Sequence, residues 1–215
     1  MKKKQISKIN NYYNNLLKCH GVKPHALGCP KGRQSIRFKN IDNLIFKNCN
    51  ILDFGCGFAD LLNYLNKNHS SYKFKYTGCD IVSNFIEISR NKYSRSKFID
   101  LNSDSINHKY DIVTAFGVFN LKYTKSDKDH FQIVKNELSK LYNISNKYLL
   151  VDFQSPFVDY KQKDSYHPNL DPLIEFIVKS LSRRFEIIHS YLPYEFSILI
   201  SKDNHVTKNN QFKPK

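Results

Sequence analysis

The segment Ile51-Leu52-Asp53-Phe54-Gly55-Cys56-Gly57-Phe58-Ala59-Asp60 constrains this chain more than any other stretch. Apolar residues carry a short strand to its carboxyl end, and two glycines then let the backbone turn tightly against a ligand. A helix begins straight afterwards, so its first amides face the same crevice. Gly55-x-Gly57 alone is a weak nucleotide fingerprint, because the last glycine of GxGxxG is missing. No GK[ST] follows, which excludes a P-loop. Asp80 ends the next strand, in Tyr76-Thr77-Gly78-Cys79-Asp80-Ile81, at the ~20-residue offset expected of a ribose-binding carboxylate. The competing role for Asp80 is a helix N-cap.

Around this centre, periodicity alternates between strand and helix. Strands are expected over Asn50–Phe54, Phe74–Cys79, Lys97–Leu101, Tyr110–Phe116 and Lys147–Phe153. Helices are expected over Ala59–Lys67, Asn84–Tyr93, Asp129–Tyr142 and Asp171–Leu181. That order specifies an α/β fold with a parallel sheet and helices on both faces. Phe185–Tyr191 and Tyr194–Ser201 read as a terminal hairpin turning at Leu192-Pro193, which must place one antiparallel strand in the sheet. Upstream, residues 1–18 and Gln34–Phe46 have helical spacing, and Cys19–Gly32 reads as a loop or lid. The expected division is a helical lid extension over 1–48, a core over 49–201 and a basic flexible tail over 202–215.

DFGCGFAD followed by an acidic strand end resembles motifs I and II of the class I S-adenosylmethionine-dependent methyltransferases. The likeness spans roughly Cys49 to Ser201 and is that of stand-alone bacterial enzymes of uncertain substrate. It implies a Rossmann-like, seven-stranded, mostly parallel sheet with an antiparallel last strand, and S-adenosyl-L-methionine as cofactor. The family usually has a third glycine where this chain has Ala59, a residue small enough to keep helix and strand close. By resemblance, Gly55 and Gly57 lie under the methionine part of the cofactor. Asp53 orders the loop, Asp80 binds the ribose and Ile81 covers the adenine. Asn102, or less favourably Asp100, contacts the adenine amino group. Phe116 and Gly117 pass close to the sulfonium. Arg37 is either a cation for the cofactor carboxylate or a solvated helix charge.

Methyl transfer is an in-line displacement, so the acceptor side needs residues that align a nucleophile and sometimes take its proton. Asn120 follows the fourth strand and either orients a polar nucleophile or caps the next segment. Tyr194 and Glu195 put a phenol and a carboxylate side by side at the hairpin turn. Strand alternation would send one toward the cleft and the other away. Asp152, Ser155, Asp159 and Tyr160 form an acidic, hydroxylated rim. His20, His25 and His167 are loop histidines that supply possible bases. No [DNS]PP[YFW] and no Pro-Cys pair follow the fourth strand, which argues against exocyclic base amines and cytosine C5 as targets. No cluster of metal-ligand type is evident, and Cys56 reads as small packing in the turn.

A formal charge of +15 suggests a polyanionic partner, yet seven of those charges sit in residues 1–8 and 202–215. Of 34 basic residues six are arginines, leaving 28 lysines, whereas nucleic-acid readers favour arginine for bidentate contacts. Five cysteines without CxxC spacing point to reduced thiols in a cytoplasmic protein. Apolar runs are of strand length, so no membrane span is expected. The leading expectation is a small-molecule methyltransferase acting on oxygen, with residues 1–48 and 154–170 closing over the acceptor. An RNA or other polyanion methyltransferase and a non-catalytic Rossmann-like binding module are the alternatives. The first alternative requires lysines around the cleft.

Overall fold

The computed structural model describes residues 3–29 and 32–202. Seven strands form one sheet: β1 (Asn50–Phe54), β2 (Lys75–Asp80), β3 (Lys97–Asp100), β4 (Tyr110–Ala115), β5 (Ser145–Gln154), β6 (Phe185–Leu192) and β7 (Glu195–Ser201). Their spatial order is β3-β2-β1-β4-β5-β7-β6. Strands β1 to β5 pair in parallel, and β7 runs antiparallel between β5 and β6. Strand order reverses between β1 and β4, and the crevice outside the carboxyl ends at such a point is where this architecture binds ligands. The hairpin turns at Pro193-Tyr194, one residue later than the sequence suggests.

Among the described residues there are six α-helices: α1 (Lys3–His20), α2 (Gln34–Phe38), α3 (Asp60–Asn68), α4 (Ser83–Lys92), α5 (Asp127–Ile144) and α6 (Leu170–Ser180). Alternation along β5 divides the core. Leu149, Val151 and Phe153 meet Val134, Leu138 and Leu141 of α5 and Leu173 and Ile177 of α6. Leu150 joins Ile51, Ile112 and the α3 residues Leu61, Leu62 and Leu65 on the other face. Both faces are covered, which explains why the central strands read as nearly continuous apolar runs. Among the described residues no helix is long and apolar enough to cross a membrane.

Two upstream elements differ from expectation. The helix expected over Gln34–Phe46 is α-helical only to Phe38 and continues as a 3-10 helix from Lys39 to Leu44. Short polar side chains there are drawn into tertiary bonds. Asn40 donates to Ser197 Oγ at 3.0 Å, and Asp42 accepts from Tyr64 Oη at 2.9 Å and meets His69 Nε2 at 2.8 Å. The expected loop Cys19–Gly32 contains a 3-10 turn, Pro24–Leu27, whose Pro supplies the first-turn φ.

Asp53 ties the three central strands together. Its Oδ2 accepts from Tyr76 Oη on β2 at 2.7 Å, and its Oδ1 accepts from Thr114 Oγ1 on β4 at 3.2 Å. Burial pushes its pKa up to about 7, against the opposing pull of these two bonds. Its folded-state pKa is therefore raised. The stability it contributes is full below the unfolded value of 3.8 and is lost as pH rises through about 7. Asp53→Asn keeps the shape without the charge; its Oδ1 accepts from one hydroxyl and its Nδ2 donates to the other, whose O–H can turn away. We expect the variant to be more stable than the parent at pH 8, by on the order of 2 kcal/mol, with the gap closing near pH 4. Urea denaturation at the two pH values checks this, and equal destabilisation at both would refute it.

Candidate cofactor and acceptor site

The glycine turn is held against β2 by two bonds, from the Gly55 and Cys56 amides to the Cys79 carbonyl at 2.8 and 3.0 Å. Gly55 and Gly57 have φ of +76° and +53°, the left-handed region that favours glycine. Space is equally restrictive. A Cβ on Gly55 would lie 2.5 Å from Val118 Cγ2, and one on Gly57 would lie 2.8 Å from Leu27 Cδ2. Ala59 also has positive φ, at +57°. Its position therefore demands a left-handed residue as well as a small one, and alanine there costs about 1–2 kcal/mol. The spacer argument from sequence missed that backbone requirement.

Asp80 closes the turn from the other side. Its Oδ2 accepts from the Gly57 amide and its Oδ1 from the Val82 amide, each at 2.9 Å. The carboxyl is 7% exposed, and burial raises its pKa in spite of the amides. Asp80 thus anchors both the glycine turn and the entry to α4, the cap-like role that competed with ribose binding. The two roles are compatible, because each carboxylate oxygen has a further lone pair. Next to it, Asn102 Nδ2 donates to the Ile81 carbonyl at 2.6 Å, and its backbone amide donates to Asp100 Oδ1 at 2.9 Å. Asn102 Oδ1 is then the acceptor the amide has left.

The N-terminal segment lies over this turn. Tyr13, Leu16, Leu17, Ala26 and Leu27 pack with Phe58, Val82 and Phe85. Tyr13 meets the Phe85 ring at 5.9 Å, and Phe58 meets it at 4.8 Å. Tyr13 and Leu27 were not singled out from sequence. Helical spacing in α1 marks a buried face without saying what that face covers.

The ends of β5 and β7 are organised by Arg37, which is 7% exposed. Its Nε and Nη2 donate to Glu195 Oε2 at 3.0 and 2.6 Å, and its Nε also lies 2.9 Å from Asp152 Oδ2. The Nε–H is aimed at Glu195, so the Asp152 contact is an ion pair rather than a hydrogen bond; Asp152 Oδ2 has no hydrogen-bond donor. The other Asp152 oxygen accepts the Gly117 amide. Burial alone would lower the Arg37 pKa, and the two carboxylates outweigh it and raise it. Asp152 is pushed up to about 6, chiefly by burial. Arg37 is therefore no solvated helix charge; it is committed to the ends of β5 and β7.

A cavity of about 310 Å³ opens in front of this cluster. Arg37, Gly117, Asn120, Tyr194 and Glu195 all line it, together with Tyr12, Tyr13, Leu27 and Gln154. Asn120 also accepts the Gln154 amide at 3.1 Å through Oδ1, so it braces the loop after β4 while facing the cavity. Tyr194 donates to Asp159 Oδ2 at 3.0 Å and is 52% exposed, whereas Glu195 is turned inward to Arg37. Phe116 lies behind the wall, packed edge-on to Phe38 at 5.4 Å. Asp53, Gly55, Gly57, Asp80, Ile81 and Asn102 sit apart from this cavity. The histidines are not drawn to it either. His20 and His25 pair ring to ring at 5.5 Å, and His167 donates through Nδ1 to the Ser155 carbonyl at 2.7 Å. Among the described residues no group of three or more His, Cys, Asp or Glu is placed to hold a metal.

Residues 52–141 match the family model described as a methyltransferase domain. The chain is 24% identical over 155 residues to Rv1506c, a Mycobacterium tuberculosis protein provisionally named a methyltransferase, covering 71% of this chain and 92% of that one. Among solved structures it resembles magnesium protoporphyrin IX methyltransferase (ChlM) from Synechocystis PCC 6803, which contains bound SAH. That likeness has a TM-score of 0.63 at 12% identity over 92% of this chain and 99% of the other. It also resembles the plantazolicin methyltransferase BpumL, with a TM-score of 0.59 at 13% identity, covering 94% and 100% of the two chains. Glycine turn, acidic strand end, strand order and family model agree: residues 52–141 match a methyltransferase domain, on the fold seen in S-adenosylmethionine-dependent methyltransferases.

Proposed function

We propose that the protein methylates a small-molecule acceptor, on oxygen, in the cavity between the Tyr12–Leu27 segment and the β6–β7 hairpin. The observation that carries this reading is the make-up of that cavity. It is bounded by Asn120, Tyr194 and Glu195 on one side and by Tyr12, Tyr13 and Leu27 on the other, and among the described residues no lysine lines it. A polyanion site would need cations there. The cavity's two arginines are Arg37, neutralised by carboxylates, and Arg33 at the exposed rim. Two structural neighbours point the same way, since ChlM and BpumL are named for a porphyrin and for plantazolicin. Five free thiols, three of them buried, support a reducing cytoplasmic setting.

The residues present fit the cofactor. The positive-φ glycines bring the turn's backbone close under Val118 and Leu27, with no side chain of its own in the way, and Asp80 keeps acceptor capacity beside it. Asp80 would hold the ribose hydroxyls, Ile81 and Asn102 the adenine, and Gly55, Gly57 and Gly117 the methionine part. When bound, the cofactor supplies an electrophilic methyl group on a sulfonium. Leu27, packed on Gly57, must give way to admit it, so the segment over the turn acts as a cover that excludes water once closed. Asn120 and Tyr194 orient the nucleophile, and the Glu195 carboxylate accepts its hydrogen bond and its proton.

Calorimetric titration with S-adenosylhomocysteine is expected to show micromolar binding, with none for NAD. Asp80→Ala should weaken that binding by about 10-fold or more, the worth of hydrogen bonds to a charged group. Affinity retained within a few fold would remove Asp80 from the ribose site. Adding RNA to the loaded protein should give no salt-sensitive complex at the cavity. Protection of Asn120 and Tyr194 by RNA would favour the polyanion reading instead.

A further inference from the structure

The inner wall of the cavity carries an unbalanced charge. Arg37 contributes one positive charge, while Asp152 and Glu195 contribute two negative ones, so the cluster sums to −1. At the rim, Arg33 and Asp164 cancel. The imbalance is buried where it matters: Asp152 is fully buried and Arg37 is 7% exposed. Removing three charges from water is unfavourable unless geometry and hydrogen bonds compensate, and a surplus carboxylate adds to the penalty. Strongly perturbed charged groups gathered in a cleft are functional-site candidates.

The bonding pattern shows what the surplus faces. Both Arg37 hydrogen bonds to Glu195 end on Oε2. Glu195 lines the cavity, and its other oxygen keeps its capacity to accept. Asp152 stands behind, holding Arg37 through one oxygen and the Gly117 amide through the other. Arg37 is thus fixed by Asp152 and in turn fixes Glu195.

Resting on the small-molecule reading above, we infer that the acceptor offers a hydroxyl or amine hydrogen to Glu195 and carries no negative charge at its reacting end. Carboxylate acceptors are turned away. A hydrogen-bond donor meets a pre-aimed carboxylate, whereas an anion meets a like charge in a partly desolvated cavity. Exclusion by a like charge is the repulsive half of specificity. Asp152 is a positioning residue here: it acts through Arg37 and touches no acceptor.

The test uses three probes of matched size, benzyl alcohol, benzylamine and benzoate, titrated into the protein saturated with S-adenosylhomocysteine and followed by ligand-observed NMR. Benzyl alcohol and benzylamine should bind at least about 10-fold more tightly than benzoate. Asp152→Asn retains an acceptor for the Gly117 amide and brings the cluster to neutrality. It should pull that ratio toward one while leaving affinity for S-adenosylhomocysteine within about threefold. A variant that is merely loosened would lose all ligands together. Benzoate binding as tightly as the other two, or a ratio unmoved in Asp152→Asn, overturns the inference. Failure of the parent reading shows separately, as no binding of S-adenosylhomocysteine before any probe is added.

Discussion

A guanidinium buried between two carboxylates joins parts of the chain that lie 158 residues apart. Arg37 leaves α2, outside the sheet, and ends at β5 and β7. Asp152 passes the connection to Gly117 at the end of β4. No apolar contact could do this with the same direction, because dispersion and burial are indifferent to orientation while a guanidinium fork is not. The cluster is not there for stability, since a well-packed apolar replacement would commonly match it. What it provides is a fixed relation between the upstream helices, the backbone that follows β4 and the hairpin that walls the cavity.

The cofactor side rests on a different device. Asp80 is bound by amides of the glycine turn and of the entry to α4, so one carboxylate fixes two backbone segments without any other side chain. The turn itself stores strain at Ala59, held in place by a fully buried environment and by the amide bond it donates to the Cys56 carbonyl at 2.9 Å. Gly117 lines the cavity while its amide is held by Asp152, and the next residue, Val118, lies over Gly55 of the turn.

Much of this was legible in the sequence, for identifiable reasons. The strand–turn–helix at Asp53 to Asp60 and the acid at Asp80 are local patterns, and local patterns survive in a linear reading. The sheet follows from alternation, and β7 from the short hairpin. Arg37 was noticed as a cation upstream of the core, but its partners were not, because nothing local links residue 37 to residues 152 and 195. Glu195 and Tyr194 were read as neighbours with opposed directions, which is how they lie, although both edge the cavity. Asn40 and Asp42 broke a helix that periodicity alone would continue, since their side chains serve the tertiary structure. Leu27 and Tyr13 stayed hidden because an apolar residue on a short segment says only that it is covered.

Charge shows the same division between what sums over the chain and what acts at a point. The chain carries +15, yet the buried cavity wall is net negative, and among the described residues two basic ones, Arg33 and Arg37, line the cavity. Exposed lysines act through solvent, where a Debye length of about 8–10 Å at physiological salt screens them. Arg37, Asp152 and Glu195 act across less than 3.1 Å in a site from which water is partly removed. The far field governs what drifts toward this protein, and the near field governs what can stay. An anion drawn in by the lysines would meet Glu195 at the last step, so the net charge of the chain is a poor guide to its acceptor.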